Sequence, residues 1–355
     1  MMAGHTLGDV DHAGYRMGPG EPTEALTPAT RAHSHHIEPE DITMLGTLPT
    51  PTFSHLASAV RRLLLPALVL TSAACDNPTE PIRSQPRPTF AVTAPIDAKG
   101  QILFTSGATE AKLFLADPVT TNVVQLPSGP GPYSVGSWSA DFTKITFSKG
   151  LWGGLWTMDA DGSNETQVLA MPLVRTSVFS PDGQYIAFIA NVPDAQVHTV
   201  EIATGVVKQL TNLPGIHLRV SWSVDGKKLL FGKEDGGIGN LFTIAPDGTG
   251  LTQVTKCVKV YCNDGQFSPD GTRIAFIYGG RVATMAATGG NVKMVTGPKE
   301  PQPHYPSWSP DGKQLAYERY AGPYHHDIWV VDLVTGAKTP VVTSRVDDTT
   351  PSWSR

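Results

Sequence analysis

The chain has 355 residues with 35 Gly, 30 Pro and 8% aromatic residues, a turn-rich composition that is long enough to bury a full core. Its 27 Lys and Arg stand against 32 Asp and Glu, which gives a net charge of −5. This balance supplies no basic stripe for a phosphate backbone, so we do not expect a nucleic-acid partner.

The first 98 residues do not resemble a folded domain. We expect residues 1–59 to be disordered, or to be an extension upstream of a translation start near Met44. Residues 60–75 have the order of a signal segment: Arg61 and Arg62, then the apolar run Leu63–Leu70, then small residues. The apolar run is too short to span a membrane stably.

Cys75 directly follows those small residues, as in the lipobox of bacterial lipoproteins, although Ser72 stands where that pattern usually has Leu. We therefore predict that Cys75 is lipidated. Residues 76–98 follow with five prolines, a composition that favours extended conformations of about 3 Å per residue. This segment is predicted to be a tether that holds the following domain off a membrane.

One motif recurs through residues 99–355, an aromatic anchor followed by Ser-Pro-Asp-Gly. The full copies are Phe179–Gly183, Phe267–Gly271 and Trp308–Gly312. Trp222–Gly226 has lost the proline, and Trp138–Phe142 has lost the proline and the glycine. A second aromatic lies nine positions after each anchor: Phe147, Phe188, Phe231, Phe276 and Tyr317. A repeat in such regular register predicts an array of similar units.

Each repeat has the pattern of four short strands. Pro presets φ at the second position of a turn, Asp suits the third, and Gly takes the left-handed conformation that closes a hairpin. Phe142 occupies that Gly position in one copy, so we expect a distorted turn there. Further strands, such as Ile328–Asp332 and Val341–Thr343, complete the unit. Four antiparallel strands in each repeat predict an all-β propeller.

The spacing of the anchors predicts six blades. Anchors recur every 41 to 45 residues from Trp138 to Trp353. Three strands precede Trp138, beginning at Gln101–Phe104, and Pro351–Ser354 is a first strand without a blade. Joined, they complete the sixth blade, so the C-terminal strand is predicted to close the ring.

Here the sequence resembles the TolB-like propellers, whose repeats also occur in prolyl oligopeptidases. The resemblance covers about residues 98–355 and rests on the recurrence of Trp-Ser-Pro-Asp-Gly in register. TolB carries a globular domain before its propeller, where this chain has only the tether. The resemblance therefore implies a ring more firmly than it implies an activity.

By this resemblance we expect an exported, lipid-anchored, monomeric propeller, periplasmic or on the cell surface. It would act as a non-catalytic protein-binding or scaffold module without a cofactor. Its partner would be an envelope protein or a peptidoglycan- or polysaccharide-associated molecule, and its only membrane contact would be the lipid. No hydrolase, phosphate-loop or zinc-protease motif occurs in the sequence.

Two groups of residues are candidates for binding. The first lies on loops between second and third strands: Trp152, Tyr320, Tyr324, His325 and His326. Exposed aromatic rings suit stacking on sugars or gripping a peptide, whereas core packing under the loop is the other interpretation of Trp152. The second group should line the central funnel just before each anchor: Tyr133, Arg175, His217, Asn263, Asp264, His304, Asp347 and Asp348.

The funnel residues also suggest an alternative function. His217 and His304 could hold one divalent metal with nearby carboxylates, as in a metal-dependent polysaccharide-processing propeller. A glycan-binding module is the non-catalytic form of that alternative. The other interpretation is that these side chains are a polar lining of the funnel and bind no ligand.

Cys257 and Cys262 remain as a pair if Cys75 carries lipid. In an oxidising compartment they could close a small disulfide. Two reduced, partly buried thiols are the other interpretation.

Overall fold

The computed structural model describes residues 98–107, 109–150, 153–191, 194–323 and 325–354. These residues form 24 β-strands in six separate four-stranded sheets. All pairings are antiparallel and each sheet is one blade, so the predicted all-β, six-bladed propeller is confirmed. Within these ranges, no helix has the length and hydropathy needed to cross a membrane.

The strands fall into four sets by their place in the blade. The inner strands are β4 (Tyr133–Trp138), β8 (Val174–Phe179), β12 (Ile216–Trp222), β16 (Cys262–Phe267), β20 (Pro303–Trp308) and β24 (Asp348–Trp353). The second strands are β1 (Ile102–Ser106), β5 (Lys144–Lys149), β9 (Tyr185–Asn191), β13 (Leu229–Asp235), β17 (Arg273–Tyr278) and β21 (Gln314–Gly322). The third strands are β2 (Lys112–Ala116), β6 (Gly154–Asp159), β10 (Ala195–Glu201), β14 (Ile238–Ile244), β18 (Val282–Ala286) and β22 (His325–Asp332). The outer strands are β3 (Val123–Gln125), β7 (Thr166–Leu169), β11 (Val207–Gln209), β15 (Thr252–Gln253), β19 (Lys293–Met294) and β23 (Lys338–Val342).

The C-terminal strand closes the ring. Strand β24 pairs with β1, where Trp353 lies opposite Ile102 and Ser352 lies opposite Leu103. Blade 1 is therefore built from β24 and β1–β3, and blades 2 to 6 follow in chain order. The predicted closure is confirmed, and it leaves β1 with a partner on both sides.

Six apolar clusters hold neighbouring blades together. The cluster between blades 1 and 2 joins Leu103 and Leu113 to Phe147 and Trp138. The other five clusters likewise combine residues of two adjacent blades. The second aromatic of each repeat is fully buried, and Phe104 is its counterpart in blade 1. Since every blade packs on two others, removal of one blade would expose two of these clusters.

The Ser-Pro-Asp-Gly turns are held by a short hydrogen-bond network. In Ser309–Gly312 the serine hydroxyl donates to Asp311 at 2.7 Å, and the Gly312 N–H donates to the Ser309 carbonyl at 3.0 Å. The Asp311 carboxylate also accepts from the N–H of Lys313 at 3.0 Å. The serine hydroxyl lowers the pKa of Asp311, since it stabilises the carboxylate.

Phe142 does not distort its turn, so that prediction was wrong. It takes the left-handed conformation itself, with φ of 60°, and its N–H donates to the Ser139 carbonyl at 3.1 Å. The Ser139 hydroxyl donates to Asp141 at 2.6 Å, as in the glycine-containing copies. The geometry is preserved at the cost of a backbone conformation that is strained for a bulky residue.

The ring has two different ends. Hairpins with the Ser-Pro-Asp-Gly turns lie at one end, which we call the turn face. At the opposite end, the loop face, each second strand leads into the third. The expected long loops there, such as Gly232–Asn240 and Arg319–Asp327, are largely strand, since β13 and β14 are separated only by Gly236 and Gly237. Both glycines have positive φ, which lets the hairpin continue to a tight turn.

Candidate binding site at the axis of the ring

Each inner strand carries a bulge, where its register with the second strand shifts. In four adjacent blades the residue three positions before the anchor has positive φ: Arg219, Asp264, Tyr305 and Thr350. Bulges redirect side chains and often occur next to functional sites. We call the polar side chains gathered here the axial cluster: Arg175, Arg219, Asp264, His304, Tyr305, Glu318, His326 and Asp347.

Tyr305 is at the centre of the axial cluster. The Arg219 guanidinium lies 5.5 Å from its ring centroid, a cation–π distance. The Tyr305 N–H donates to the Asp264 carboxylate at 3.4 Å. The Asp264 charge raises the pKa of the Tyr305 phenol, with burial and the Glu318 charge adding to the effect. The phenol is therefore protonated at every physiological pH and can donate a hydrogen bond.

Asp264 and Arg219 form an oppositely charged pair in the axial cluster, in which the carboxylate is buried and the guanidinium is half-buried. Asp264 is 4% exposed. Burial lowers the pKa of the Arg219 guanidinium, whereas the negative charge of Asp264 opposes that shift. Since arginine keeps its proton in proteins, the pair is best described as a half-buried cation near a buried carboxylate. Such a pair holds its geometry because neither charge can be left alone in a low-dielectric site.

Glu318 is the least expected member of the axial cluster. It is 4% exposed and its carboxylate accepts the N–H of Thr350 at 3.0 Å, which links blade 6 to the closing strand. Burial raises the pKa of Glu318, although the Thr350 bond and the neighbouring histidines act in the opposite direction. Its second oxygen lies 3.8 Å from His326 Nε2.

His304 and His326 stand on either side of Glu318. His304 Nδ1 lies 3.8 Å from Asp264, and interaction with that carboxylate raises the pKa of the imidazole against the opposing effect of burial. His326 Nδ1 contacts Asp347 at 2.7 Å. The imidazole also packs edge-to-face with the ring of Tyr320, and the two ring centroids are 5.7 Å apart. His326 is thus part of a strand and is hydrogen-bonded to Asp347, and it connects the axis to the loop face.

Arg175 brings blade 3 into the site. Its guanidinium donates from Nε and Nη2 to the side-chain oxygen of Asn191, both at 3.0 Å, with the Asn191 amide turned to accept. Arg175 is exposed, yet its charge still acts on the Tyr305 phenol. The axial cluster therefore spans blades 3 to 6 and reaches Asp347 at the start of the closing strand, and it combines cations with carboxylates.

Three residues predicted to line the funnel lie inside the blades instead. Tyr133 is 1% exposed with its ring 5.3 Å from Phe147, and His217 is fully buried with its ring 5.2 Å from Phe231. Asp348 is also fully buried, and it accepts the Ser344 hydroxyl at 2.6 Å. All three stand five residues before an anchor. Side chains alternate along a strand, so this position faces the blade interior.

The predicted metal pair is not grouped by the fold. His217 Nδ1 contacts the Ala195 carbonyl inside blade 4, whereas His304 lies beside Asp264 in the axial cluster. Burial lowers the pKa of His217 and keeps its imidazole neutral. Among the residues that the structure describes, no three His, Cys, Asp or Glu side chains are placed to hold a metal.

Sequence reasoning missed Arg219, Tyr305 and Glu318. Counting back three residues from each anchor would have found the first two, because the bulge turns that position towards the axis. Glu318 directly follows the buried Tyr317. The equivalent positions in other blades hold uncharged residues such as Ser148 and Gly232, so a carboxylate there was the available signal.

The other predicted residues have varied placements. Asn263 is 6% exposed, next to Asp264. Tyr320 is 38% exposed on the loop face, and His325 is half-buried at the start of β22. Cys257 and Cys262 are joined by a disulfide with a Cα separation of 6.3 Å. Cys75, Trp152 and Tyr324 lie outside the described residues.

Comparison with known proteins identifies the repeat. Residues 149–355, more than half of the chain, match the family model described as TolB beta propeller domain. The Tol-Pal system protein TolB of Francisella tularensis subsp. mediasiatica is 33% identical over 101 residues. That match covers 27% of this chain and 23% of the relative, so less than a quarter of the relative's length is spanned.

Solved structures extend the likeness in fold. TolB from Acinetobacter baumannii superposes with a TM-score of 0.64 at 21% identity, covering 74% of this chain and 68% of that one. The putative TolB from Agrobacterium tumefaciens gives a TM-score of 0.56 at 16% identity, covering 71% of this chain and 90% of that one. A chain from the crystal structure of a nidogen/laminin complex gives a TM-score of 0.62 at 10% identity, covering 72% of this chain and 98% of that one. At these identities the likeness concerns the fold alone.

Proposed function

The chain belongs to the TolB β-propeller domain family, and from that premise we propose that it is an exported, lipid-anchored propeller that binds a protein of the cell envelope without catalysing a reaction. The axial cluster is the surface that we assign to this partner. The observation that carries the proposal is the convergence of Arg175, Arg219 and Asp264 with His304 and Glu318 at the loop-face end of the inner strands.

The charges of the axial cluster suit recognition of a protein. Cations and carboxylates from several blades present a fixed pattern that can match opposite charges on a partner and disfavour others. Tyr305 and Tyr320 add aromatic surface with hydroxyl groups, which is common in protein interfaces. Their positions are set by strands, so little conformational entropy is lost when a partner docks.

The family supports the choice of partner class. The curated relative is a Tol-Pal system protein, and a role in an envelope assembly is the corresponding proposal for this chain. The proposals of export and of lipid anchoring rest on the sequence alone. Export is inferred from the signal segment 60–75, and anchoring is inferred from Cys75. The Cys257–Cys262 disulfide is in keeping with an oxidising compartment outside the cytosol.

A pull-down from envelope extracts tests the proposal. The full-length chain carrying Tyr320→Ala, Arg175→Ala or His326→Ala should recover an envelope protein about tenfold less well than the unchanged chain, because truncation of a central interface residue commonly costs 1–2 kcal/mol. Val334→Ala is the matched control, since Val334 is 83% exposed in the turn between β22 and β23, on the turn face. Equal melting temperatures would show that the variants fold.

Two outcomes would argue against this function. Unchanged recovery in all three variants would remove the axial cluster as the binding surface. A transition metal bound near one-to-one in the unchanged chain, and lost on His304→Ala, would instead favour the glycan-processing alternative. Elemental mass spectrometry of protein purified without chelators measures that directly.

A further inference from the structure

The hydrogen-bond acceptors of the axial cluster are engaged within the protein, whereas several of its donors face solvent. The side chains of Asp264 and Glu318 are each 5% exposed, and each accepts a backbone N–H. Asp347 is 30% exposed and is held by a histidine imidazole at 2.7 Å. By contrast, the His304 side chain is 39% exposed and Arg175 is exposed. A molecule that approaches from solvent therefore meets chiefly hydrogen-bond donors.

The guanidinium of Arg219 is a donor without an acceptor. Its Nη1 atom is buried, and no oxygen of the described residues accepts a hydrogen bond from it. The group lies 5.5 Å from the centroid of the Tyr305 ring, which supplies cation–π attraction but no acceptor. A buried N–H of a charged group that makes no hydrogen bond costs free energy, and an acceptor that arrives with a ligand removes this cost.

The backbone holds Arg219 and Tyr305 in place by unusual conformations. The register of β12 with β13 shifts between Leu218 and Val220, so Arg219 is itself the bulged residue. Its φ is 25° and that of Tyr305 is 50°, values that side-chain-bearing residues rarely adopt. Strain of this kind is often retained where residues clamp a ligand. Both side chains are therefore positioned before any ligand arrives.

Two further donors stand beside Arg219. In the part of the chain that the structure describes, Tyr305 makes a hydrogen bond through its backbone N–H and none through its hydroxyl. Since this phenol keeps its proton at physiological pH, the hydroxyl can donate to a ligand. Arg175 donates to Asn191 from Nε and Nη2, which leaves Nη1 outside that bond. Its charge acts on the Tyr305 phenol, so blades 3, 4 and 6 each bring a donor to one region.

The chemistry of these donors selects a carboxylate. The planar fork of an arginine matches the two oxygens of a carboxylate or of a phosphate. A doubly charged phosphate would be repelled more strongly by the carboxylates of the axial cluster, so the singly charged group fits better. A neutral amide oxygen would gain less from the same donors, because hydrogen bonds between charged groups are stronger.

We propose that Arg219, Arg175 and the Tyr305 hydroxyl bind a carboxylate group of the protein partner. This carboxylate is either the side chain of an Asp or Glu or the C-terminal carboxylate of the partner chain. The inference rests on the proposed function, since it names the chemical group by which the partner is recognised at the axial cluster.

An array of acetylated random hexapeptides tests the proposal with the full-length chain. One half of the array carries amidated C-termini and the other half carries free ones. If a side chain is the source, peptides that bind will contain Asp or Glu in both halves. If the C-terminus is the source, binding will occur only in the half with free ends. For the peptides that bind best, conversion of the carboxylate to its amide should raise Kd at least about tenfold.

Two variants assign the binding to the proposed donors. Tyr305→Phe removes a hydroxyl that bonds to no described residue, so it should raise Kd at least about fivefold and leave the melting temperature unchanged. Arg219→Lys keeps the charge but loses the planar fork, and it should raise Kd at least about tenfold. Tyr185→Phe is the matched control, because Tyr185 begins β9 at the turn-face end of blade 3 and should not affect Kd.

Three results would overturn the proposal. The first is the absence of any carboxylate-dependent peptide binding. The second is an unchanged Kd in both Tyr305→Phe and Arg219→Lys. The third is tighter binding of an oligosaccharide of glucuronic acid than of any peptide, because the site would then serve a glycan.

The envelope pull-down separates this inference from the proposed function. If Tyr320→Ala loses the partner while Tyr305→Phe and Arg219→Lys recover it fully, the proposed function stands and the carboxylate site is wrong. If the Tyr320, Arg175 and His326 variants all recover the partner, yet Tyr305→Phe weakens carboxylate-dependent peptide binding, the carboxylate site stands and the proposed function is wrong.

Discussion

The indole Nε1 of Trp138 donates a hydrogen bond of 3.1 Å to the carbonyl oxygen of Ser352, which lies 214 residues later in the chain. Trp222 and Trp308 make the same bond to the blade before their own, to Val178 at 3.3 Å and to Gln266 at 3.1 Å. Each bond ends on the residue before the previous anchor. These three tryptophan anchors therefore link adjacent blades as well as pack between them.

Replacing Trp138 by Phe should lower the free energy of unfolding by about 1–2 kcal/mol. The ring can be accommodated, since Phe179 and Phe267 are anchors in other blades, but the buried Ser352 carbonyl loses a donor. Urea unfolding at equilibrium measures the difference. Trp222→Phe is the comparison away from the ring closure, where the bond is longer. An unchanged midpoint for Trp138→Phe would show that the indole acts through packing alone.

Two glycines with similar backbones should respond differently to Ala. Gly183 has φ of 71° and its added Cβ meets nothing within 4 Å, so Gly183→Ala should cost about 1 kcal/mol through backbone conformation alone. Gly162 has φ of 86°, and its Cβ would lie 2.8 Å from the Pro127 carbonyl oxygen. Gly162→Ala should cost at least about 1 kcal/mol more, because backbone must move. Equal thermal shifts for the two variants would contradict this account.

The imidazole of His304 should titrate above the usual value of about 6.5, because the Asp264 carboxylate raises its pKa. Proton NMR of the ring measures the midpoint, and Asp264→Asn should lower it. A raised folded pKa adds stability that is complete below the unfolded value and is lost as pH rises through the folded one. His304→Gln should therefore lower the free energy of unfolding more near pH 6 than near pH 8. A larger loss of stability near pH 8 would mean that folding does not raise the pKa of His304.

The Cys257–Cys262 disulfide should contribute about 2 kcal/mol, as the chain-entropy model gives for a loop of this size. The double variant Cys257→Ser/Cys262→Ser removes the crosslink and should lower the midpoint of urea unfolding accordingly. Reductant should shift the unchanged chain to the same midpoint and leave the double variant where it is. A reductant effect on the double variant would point to another target.

The repeat made most of the fold predictable from local residues. Trp308–Gly312 and its copies predicted the turns, and the nine-residue interval to Tyr317 predicted the buried second strand. Both depend on short-range rules, since turn geometry and strand alternation act over a few residues. The closure of the ring was also accessible, because a first strand at Trp353 and a blade without one at Gln101 have a single way of pairing.

The candidate site was predicted less well, and the reason is the bulge in each inner strand. The sequence indicated that residues before each anchor approach the axis, which placed Asp264, His304 and Asp347 in the right region. It could not show that Tyr133 and His217 face the blade interior, because an extra residue in a strand reverses the facing of everything before it. Arg219 of blade 4 was brought to Tyr305 and Glu318 of blade 6, which lie more than 80 residues later in the sequence. Local chemistry thus determined the blades, whereas the axial cluster was decided by tertiary structure, since it exists only where several blades meet around one axis.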